Sequence, residues 1–293
     1  MANLKEIRVR ISSVTTTRQI TSAMKMVSAA KLKKAQDSII QLRPYAQKLN
    51  EILVNISSSL DAGDENIYGK EVTVNNVLIV IITSNRGMCG AFNSNVIKHA
   101  IGSAINNYEK LLKQGSVKFL CIGKKGRDYL KNKNFQILKT FNEIIDKPSF
   151  DKVIPIAEEI MQSFVTGQFD KVLLVYNKFK NAAVQQITEE QFLPVPKLEK
   201  EDGKELNANY IFEPTKEFIL NELIPRSLKV EFFKAILDSL ASEHGARMTA
   251  MHKATDNATD IIRQLTLNYN KARQSAITGE IVEIVGGAEV LRG

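Results

Sequence analysis

Residues 230–275, VEFFKAILDSLASEHGARMTAMHKATDNATDIIRQLTLNYNKARQS, decide the fold of this chain. Two series of positions at seven-residue spacing run through the stretch, and ten of their fourteen members are apolar. Such a pattern predicts a coiled-coil seam over seven heptads, in which polar members set the register or contact a partner. The series are Val230, Leu237, His244, Met251, Ala258, Leu265 and Ala272, and Phe233, Leu240, Arg247, Ala254, Ile261, Asn268 and Ser275.

The N-terminal segment has the same helical character. Residues 1–43 contain neither Pro nor Gly and are rich in residues that favour helix. Apolar residues follow one another at steps of mostly three and four, which predicts an amphipathic helix continuing to about residue 58. Pro44 is expected to kink this helix or to end it one residue earlier. The apolar positions are Ile7, Ile11, Val14, Ile20, Met24 and Val27.

Two long amphipathic helices at opposite ends of one chain most simply pair as an antiparallel intramolecular coiled coil. A helix of some 55 residues is roughly 80 Å long and must project beyond any small domain. We therefore predict an N-terminal coiled-coil helix at residues 1–58 and a C-terminal one at 207–287, ending near Gly286 and Gly287. The residues between them, 70–205, are expected to form a separate domain.

The middle stretch alternates strand and helix signals. Apolar runs such as VLIVII at residues 77–82 and VKFLCI at 117–122 are followed by helical segments. Continuous apolar strands alternating with helices predict an α/β fold with a mostly parallel sheet covered by helices on both faces. The segment NAAVQQITEEQFLPV at residues 181–195 is expected to form an edge strand.

Charge is distributed unevenly along the chain. Of the net charge of +8, residues 1–58 carry +7, from ten Lys and Arg against three Asp and Glu. This excess favours an acidic partner surface. Two cysteines are too few for a disulfide framework, and the start MANLKEIRVR has no apolar core like that of a signal peptide. The longest apolar run is too short to span a bilayer, so no direct membrane insertion is expected.

The loop SNRGMCGAFN at residues 84–93 lies where α/β enzymes often keep a phosphate or a nucleophile. It has Gly87 and Gly90 but no third glycine for a dinucleotide fingerprint, and no P-loop occurs in the chain. Cys89 as a nucleophile would need a base, yet the chain has three histidines, none of them predicted to lie near this turn. We therefore expect no catalytic residue, no cofactor and no metal site.

Three segments together resemble one known family. EIRVRISSVTTTRQITSAMKMVSAAKLKKAQ at residues 6–36 and ASEHGARMTAMHKATDNATDIIRQLTLNYNKARQSAITGEIVEIVGGA at residues 241–288 resemble the two terminal helices of the gamma subunit of bacterial F-type ATP synthases. The loop at residues 84–93 is similar to that family's S-D-R-G-L-C-G-x-x-N motif. The resemblance spans the whole chain and implies an antiparallel coiled coil of both termini plus a Rossmann-like α/β domain.

This resemblance implies a non-catalytic rotor shaft. In the family the coiled coil stands inside a ring of alpha and beta subunits, and the globular end, with the epsilon subunit, sits on the membrane c-ring. Proton flow turns the shaft and drives ATP synthesis in the beta subunits. The resemblance also implies a location peripheral to the cytoplasmic face of the bacterial inner membrane, no bound nucleotide and no nucleic-acid partner.

The resemblance also assigns contact residues. Asn85 departs from the family's usual Asp, so an ion pair made by that Asp is not carried over. The family's beta-contacting positions correspond here to Met24, Lys25, Arg247, Arg273, Gln274 and Thr278, and Arg86 is the loop residue most free to reach a partner.

Two other classes of function are weighed against the rotor. A nucleic-acid-binding protein with a basic coiled-coil arm would need aromatic stacking partners, and the N-terminal helix has one aromatic residue, Tyr45. A cysteine enzyme would depend on Cys89.

Overall fold

The computed structural model of the chain describes residues 4–57, 67–69, 72–182, 184–195 and 216–290. The chain divides into two compact units: a terminal unit, Met1–Ser28 with Met248–Gly293, and a sheet unit, Ala29–Arg247. The elements in chain order are α1 (Leu4–Ser57), β1 (Val77–Ile82), α2 (Phe92–Lys113), β2 (Val117–Ile122), α3 (Lys124–Asn132), β3 (Ile137–Phe141), α4 (Glu143–Asp146), α5 (Phe150–Val165), β4 (Lys171–Phe179), β5 (Gln185–Leu193) and α6 (Lys216–Val290).

The sheet unit is built on a five-stranded sheet in the order β3-β2-β1-β4-β5. The first four strands run parallel, and β5 is antiparallel to β4 at one edge. Every residue of β1 is buried because helices cover both faces of this central strand. The predicted, mostly parallel sheet is confirmed. Strand β3 was not predicted; it is a short edge strand whose Lys139 and Thr140 interrupt the apolar pattern.

Each face of the sheet has its own apolar core. On one face, Val80 and Ile82 of β1 pack with α5, with Leu53 of α1 and with Phe232 of α6. On the other face, β1 and β2 pack against α2, whose buried residues include Val96, Ala100 and Ala104. The ends of α1 and α6 that belong to the sheet unit are therefore part of its core.

Helices α1 and α6 run antiparallel where they meet. In the terminal unit, the Arg8 guanidinium donates to the Tyr269 hydroxyl at 2.8 Å, and the hydroxyls of Thr21 and Thr255 share a hydrogen bond of 2.8 Å. A step toward the C-terminus on one helix is thus matched by a similar step toward the N-terminus on the other. The predicted antiparallel coiled coil is confirmed.

The buried stripes differ from the predicted ones. Ile20 and Val27 are 55% and 57% exposed, while Thr21 is partly buried and Ser28 is buried. On α6 the second series shifts by one residue, so that Thr255 lies in the seam and Ile261 is largely exposed. The spacing of apolar residues does not show whether the second series of seam positions lies three or four residues after the first. Because two hydroxyls that bond each other satisfy their polar atoms, threonine can occupy the seam.

Three residues that commonly break helices, Pro44, Gly286 and Gly287, lie inside the long helices. Pro44 lies inside α1, which continues to Ser57; Ile40, whose carbonyl loses its bond to Pro44, is exposed and can be solvated. Gly286 and Gly287 do not end α6, which continues to Val290 with neither glycine at positive φ, as a left-handed C-cap would require. The three-segment division at residues 1–58, 70–205 and 207–287 stays a prediction, since 58–66 and 196–215 lie outside the described residues.

Candidate functional site

The predicted contact residues of the terminal unit fall into two groups. Met24 and Lys25 are half-buried on α1, whereas Arg273, Gln274 and Thr278 are exposed on α6. Because Thr21 faces Thr255, Met24 lies level with the α6 residues just before that position. Arg273 is some 20 residues further along α6, or about 30 Å at the helical rise. The structure therefore places these residues at two separate points of the terminal unit.

The C-terminal part of α6 is an exposed apolar helix. Tyr269 pairs with Arg8, close to where α1 begins at Leu4, and every α6 residue from Arg273 to Glu289 is exposed. Three isoleucines at four- and three-residue steps share one face of this segment and are 48%, 55% and 71% exposed: Ile277, Ile281 and Ile284. Contiguous exposed apolar surface marks an interaction site. We call these three residues the isoleucine face; the resemblance had not assigned them.

Helix α1 also presents apolar residues among its cations. Val9, Ile20 and Val27 are exposed and, at steps of eleven and seven residues, lie on one side of the helix. Lys5, Arg8 and Arg10 are exposed nearby in sequence. This surface suits a partner that offers both apolar and acidic groups.

Tyr45, the one aromatic residue of the basic helix, lies in the sheet unit. The Arg226 guanidinium of α6 stands 6.0 Å from the centre of its ring. One face of this ring, which is 43% exposed, therefore already has a cation–π partner in this chain.

In the sheet unit, the loop between β1 and α2 is held by hydrogen bonds among its own residues and Asn93 at the start of α2. The Asn93 side chain accepts from the backbone N–H of Ser84 at 2.9 Å and donates to the Ser84 hydroxyl at 2.7 Å. The Ser84 hydroxyl in turn bonds the carbonyl of Arg86 at 2.6 Å. Met88 and Gly90 adopt positive φ, and Met88 is 64% exposed. The predicted contact residue Arg86 is exposed beside it.

The N-terminus of α3, a potential phosphate site, has its N–H groups already bonded. Lys124 N donates to Asn85 Oδ1 at 3.1 Å, Lys125 N to the Ser84 carbonyl at 3.1 Å, and Gly126 N to Thr83 Oγ1 at 2.9 Å. A phosphate bound here would need those same donors. The start of α3 therefore serves to join the first two strand–helix units.

Asn85 does what a carboxylate could not. While its oxygen caps α3, its Nδ2 donates to the carbonyl of Asn142 at 2.7 Å and to Asp146 Oδ2 at 3.2 Å. An aspartate has no N–H to donate to these oxygens. At this position the chain thus has a neutral amide that both accepts and donates.

Helix α6 fills the crevice at which Rossmann folds bind dinucleotides. That crevice lies at the carboxyl ends of the strands where the strand order reverses, here between β1 and β4. The Ser242 hydroxyl donates to the Asn177 carbonyl at the end of β4, and Ala246 is buried with Cys89 and Phe92. Gly245 packs so closely on Ala182 that an added Cβ would stand 3.2 Å from the Ala182 carbonyl oxygen.

Arg247 is the most connected of the predicted contact residues. Its Nη1 donates to Glu243 Oε1 at 2.6 Å, and its Nη2 donates to the carbonyls of Arg86 and Gly87 at 3.1 and 3.2 Å. Its side chain and that of Glu243 are both about nine-tenths buried. A contact of Arg247 with another subunit stays a prediction. The structure adds that its guanidinium has partners inside this chain.

Burial sets the protonation of the groups around Arg247. Desolvation raises the pKa of Glu243, and the Arg247 charge opposes that rise. Desolvation lowers the pKa of His244 to about 4, assisted by the charges of Arg247 and Lys31. His244 is therefore neutral near pH 7, so Glu243 and Arg247 form the ion pair of this cluster.

Cys89 lacks the environment of a nucleophile. It is 1% exposed, and burial raises the pKa of its thiol although the Arg247 charge acts in the opposite direction. Its hydrogen-bond partners in the described structure are Ser84, Asn93 and the Arg86 carbonyl, with no imidazole among them. Because a reactive cysteine needs a lowered pKa and a base, the cysteine-enzyme hypothesis is contradicted.

The described residues offer neither a metal site nor a membrane span. The described residues contain no group of three or more His, Cys, Asp or Glu side chains placed to hold a metal ion. Among the same residues, none of the helices combines the length and apolar composition needed to cross a bilayer.

Comparison with known proteins identifies the family. The family model described as ATP synthase matches residues 3–291. The chain is 55% identical to the ATP synthase gamma chain of Christiangramia forsetii and 56% identical to that of Flavobacterium johnsoniae, in each case over 293 residues and the full length of both chains.

Solved structures agree in fold. A chain of the central stalk and c-ring of the Tetrahymena thermophila mitochondrial ATP synthase matches with a TM-score of 0.60 and 25% identity, over 80% of this chain and 99% of that one. A chain of the Euglena gracilis mitochondrial ATP synthase matches with a TM-score of 0.69 and 22% identity, over 98% of this chain and 94% of that one. With the full-length identities to bacterial relatives, these findings place the chain in the ATP synthase gamma chain family.

Proposed function

We propose that this chain is the central rotor shaft of an F-type ATP synthase, which couples transmembrane proton flow to ATP synthesis in the beta subunits by rotation. The observation that carries the proposal is the isoleucine face, an apolar helix end with no α1 residue beside it in the described structure. An exposed apolar helix end of this kind needs a partner with an apolar surface that surrounds it. A ring of alpha and beta subunits around the terminal unit supplies one.

Rotation requires contacts between the shaft and the beta subunits that change with the angle of the shaft but do not hold it at one angle. A partner shifts between conformations only through contacts that differ between its states. The exposed cations of α1 and the apolar residues Val9, Ile20 and Val27 lie on a single helix and so offer each beta subunit a different surface as the shaft turns. Long-range attraction between these cations and acidic groups on beta tolerates rotation better than interlocking pockets do.

The remaining partners follow from family membership. The Tetrahymena structure comprises the central stalk and c-ring. By analogy, the sheet unit of this chain carries the epsilon subunit and stands on the membrane c-ring. This arrangement holds the chain at the cytoplasmic face of the bacterial inner membrane without inserting it. The chain itself is non-catalytic and binds no nucleotide, because α6 fills the crevice and the N–H groups of α3 are bonded.

We further propose which residues contact the beta subunits. Met24 and Lys25 form one contact on α1, and Arg273, Gln274 and Thr278 form a second one beside the isoleucine face. Arg86 and the exposed Met88 form a third at the β1–α2 loop. Arg247 belongs near this third contact through its bonds to the loop.

Native mass spectrometry of the complex purified through an affinity tag on this chain tests the function. The expected assembly contains three alpha, three beta and one epsilon subunit for each copy of this chain, together with the c-ring. Recovery of this chain alone, as a homodimer or with bound nucleic acid would contradict the proposal.

Met24→Lys tests the first contact. The added charge at a half-buried position of the shaft is expected to reduce ATP-driven proton pumping several-fold, with less effect on ATP hydrolysis and on thermal stability of the chain. Met24→Leu, which keeps size and polarity, serves as the control. If the lysine variant assembles normally and pumps as well as the leucine variant, Met24 makes no such contact.

A further inference from the structure

Arg247 joins two parts of the sheet unit that are far apart in sequence. It is the last residue of α6 within that unit, and its guanidinium reaches the β1–α2 loop 160 residues earlier. Nη2 donates to the carbonyls of Arg86 and Gly87, and Nε donates to the Gly87 carbonyl at 3.4 Å. Nη1 is held by Glu243, one turn back on the same helix. One side chain therefore attaches the loop to α6.

The polarity of this attachment is the reverse of that in a ligand loop. Phosphate-binding loops present backbone N–H groups to an anion. Here the loop presents two carbonyl oxygens to a cation of its own chain, and the buried Glu243 carboxylate balances that cation. Both charges are satisfied internally.

We propose that Arg247 is a positioning residue that clamps the β1–α2 loop to α6, so that the sheet and the part of α6 within the sheet unit move as one body. Apolar contacts hold α6 on the sheet at Ile224–Ile236 and Ser242 bonds the Asn177 carbonyl; Arg247, about three turns beyond Ile236, adds the attachment to the β1–α2 loop. The clamp itself is independent of the rotor function proposed above; its consequence for coupling rests on that function.

The geometry requires arginine. A guanidinium offers five N–H donors in a rigid fork and serves Glu243 and both carbonyls at once. A lysine ammonium keeps the charge but lies at one point, so it cannot span the same three acceptors. Glutamine removes the charge and leaves Glu243 buried without its cation.

The native thiols report on the clamp. Cys89 is buried against Ala246 of α6 and Phe92 of α2, directly beyond the clamped carbonyls, and opening of the loop would expose it. Cys121 is equally buried but lies within β2, where burial raises the pKa of its thiol to about 12. The two cysteines thus separate local release of the loop from general unfolding.

The first experiment measures the rate at which N-ethylmaleimide modifies each cysteine in the full-length chain, followed by peptide mass spectrometry. Arg247→Gln is expected to accelerate modification of Cys89 at least tenfold while leaving Cys121 unchanged. Arg247→Lys is expected to give an intermediate rate. Arg263→Gln, the same substitution at an exposed α6 position, serves as the matched control and is expected to match the unmodified chain.

Two results would overturn the clamp. One is an unchanged Cys89 rate in both Arg247 variants. The other is equal acceleration at both cysteines in the milder Arg247→Lys variant, which would mean that Arg247 supports the whole unit rather than the loop.

The second experiment measures coupling in the assembled ATP synthase, as protons pumped per ATP hydrolysed in membrane vesicles. Arg247→Gln is expected to lower this ratio at least threefold, with partial recovery in Arg247→Lys. A released Cys89 with an unchanged ratio would overturn the positioning role and leave the clamp as a local contact. If the unsubstituted chain fails to assemble with alpha and beta subunits, the proposed function fails, yet the thiol rates still decide the clamp.

Discussion

Two regions of the same helix have opposite surroundings. Between Ala235 and Arg247, α6 is buried on nearly every side, including polar residues such as Asp238 and Ser242. Between Arg273 and Glu289, every side chain of α6 is exposed, including the isoleucine face. The two regions have similar helical patterns, so amphipathicity alone does not tell whether a helix face is covered by its own chain or awaits a partner. This contrast yields four predictions.

The largest expected effect is the difference in unfolding free energy between a substitution in the buried region of α6 and one in the exposed region. Phe232→Ala removes a fully buried ring that packs 5.7 Å from Phe192, centre to centre. It is expected to lower the free energy of unfolding by about 3–5 kcal/mol. Ile284→Ala is expected to change it by less than about 0.5 kcal/mol because the side chain is exposed. Urea denaturation of the full-length chain measures both, and comparable losses would show that the exposed end is packed in solution.

The second prediction concerns acid stability of the buried region. His244 has its pKa lowered to about 4, so the unfolded chain binds a proton there at higher pH than the folded chain does. Stability contributed by neutral His244 is therefore lost as pH falls from about 6.5 to about 4, by up to about 3 kcal/mol.

His244→Gln should flatten the pH dependence of unfolding across this window. Groups facing His244 also titrate: the raised pKa of Glu243 acts in the opposite direction, stabilising the folded chain as pH falls. The comparison of the two chains isolates the histidine, and an identical slope in both would exclude its role.

The third prediction uses two glycines of α6. Gly245→Ala places a methyl group 3.2 Å from the Ala182 carbonyl oxygen and is expected to cost about 1–3 kcal/mol of stability. Gly279→Ala meets nothing within 4 Å and is expected to stabilise the helix by about 0.5–1 kcal/mol. Thermal unfolding monitored by circular dichroism checks the opposite signs. Stabilisation by both substitutions would mean that α6 and Ala182 are not in close contact.

The smallest effect on the chain alone is expected from Ile281→Asp. The exposed position predicts a change of less than about 0.5 kcal/mol in folding stability. In the complex, a carboxylate buried against an apolar surface of the partner is expected to weaken assembly about tenfold or more. Titration of the chain against the purified alpha–beta ring measures this affinity. Ile281→Leu is the control. Equal assembly of both variants would show that the isoleucine face remains in water.

Much of the fold was predictable because it follows from local periodicity. The apolar run at β1 identified the central strand, and spacing identified both long helices. The failures have physical causes. Ile20 and Val27 lie outside the seam because Thr21 and Thr255 satisfy each other within it, and this contact joins residues 234 positions apart. Strand β3 was missed because an edge strand need not be apolar throughout.

The candidate site was only partly predictable. Family motifs assigned Arg247, but its bonds to the carbonyls of Arg86 and Gly87 depend on where the loop lies in space. Asn85 was noticed only as a departure from the family pattern, whereas the structure shows it bridging α3 and Asn142. The isoleucine face was visible as regularly spaced apolar residues, yet nothing in the spacing shows that no described residue of α1 covers it.

The sequence by itself determined most elements of this protein, because helix and strand periodicities and the charge of α1 are properties of neighbouring residues. It also determined the family, through motifs at both ends of the chain. Only the tertiary structure decided which polar groups are buried, which glycine permits close packing and which segment of α6 is exposed among the described residues. Those properties depend on atoms brought together from distant parts of the chain, and burial, hydrogen bonding and charge balance are set by that proximity.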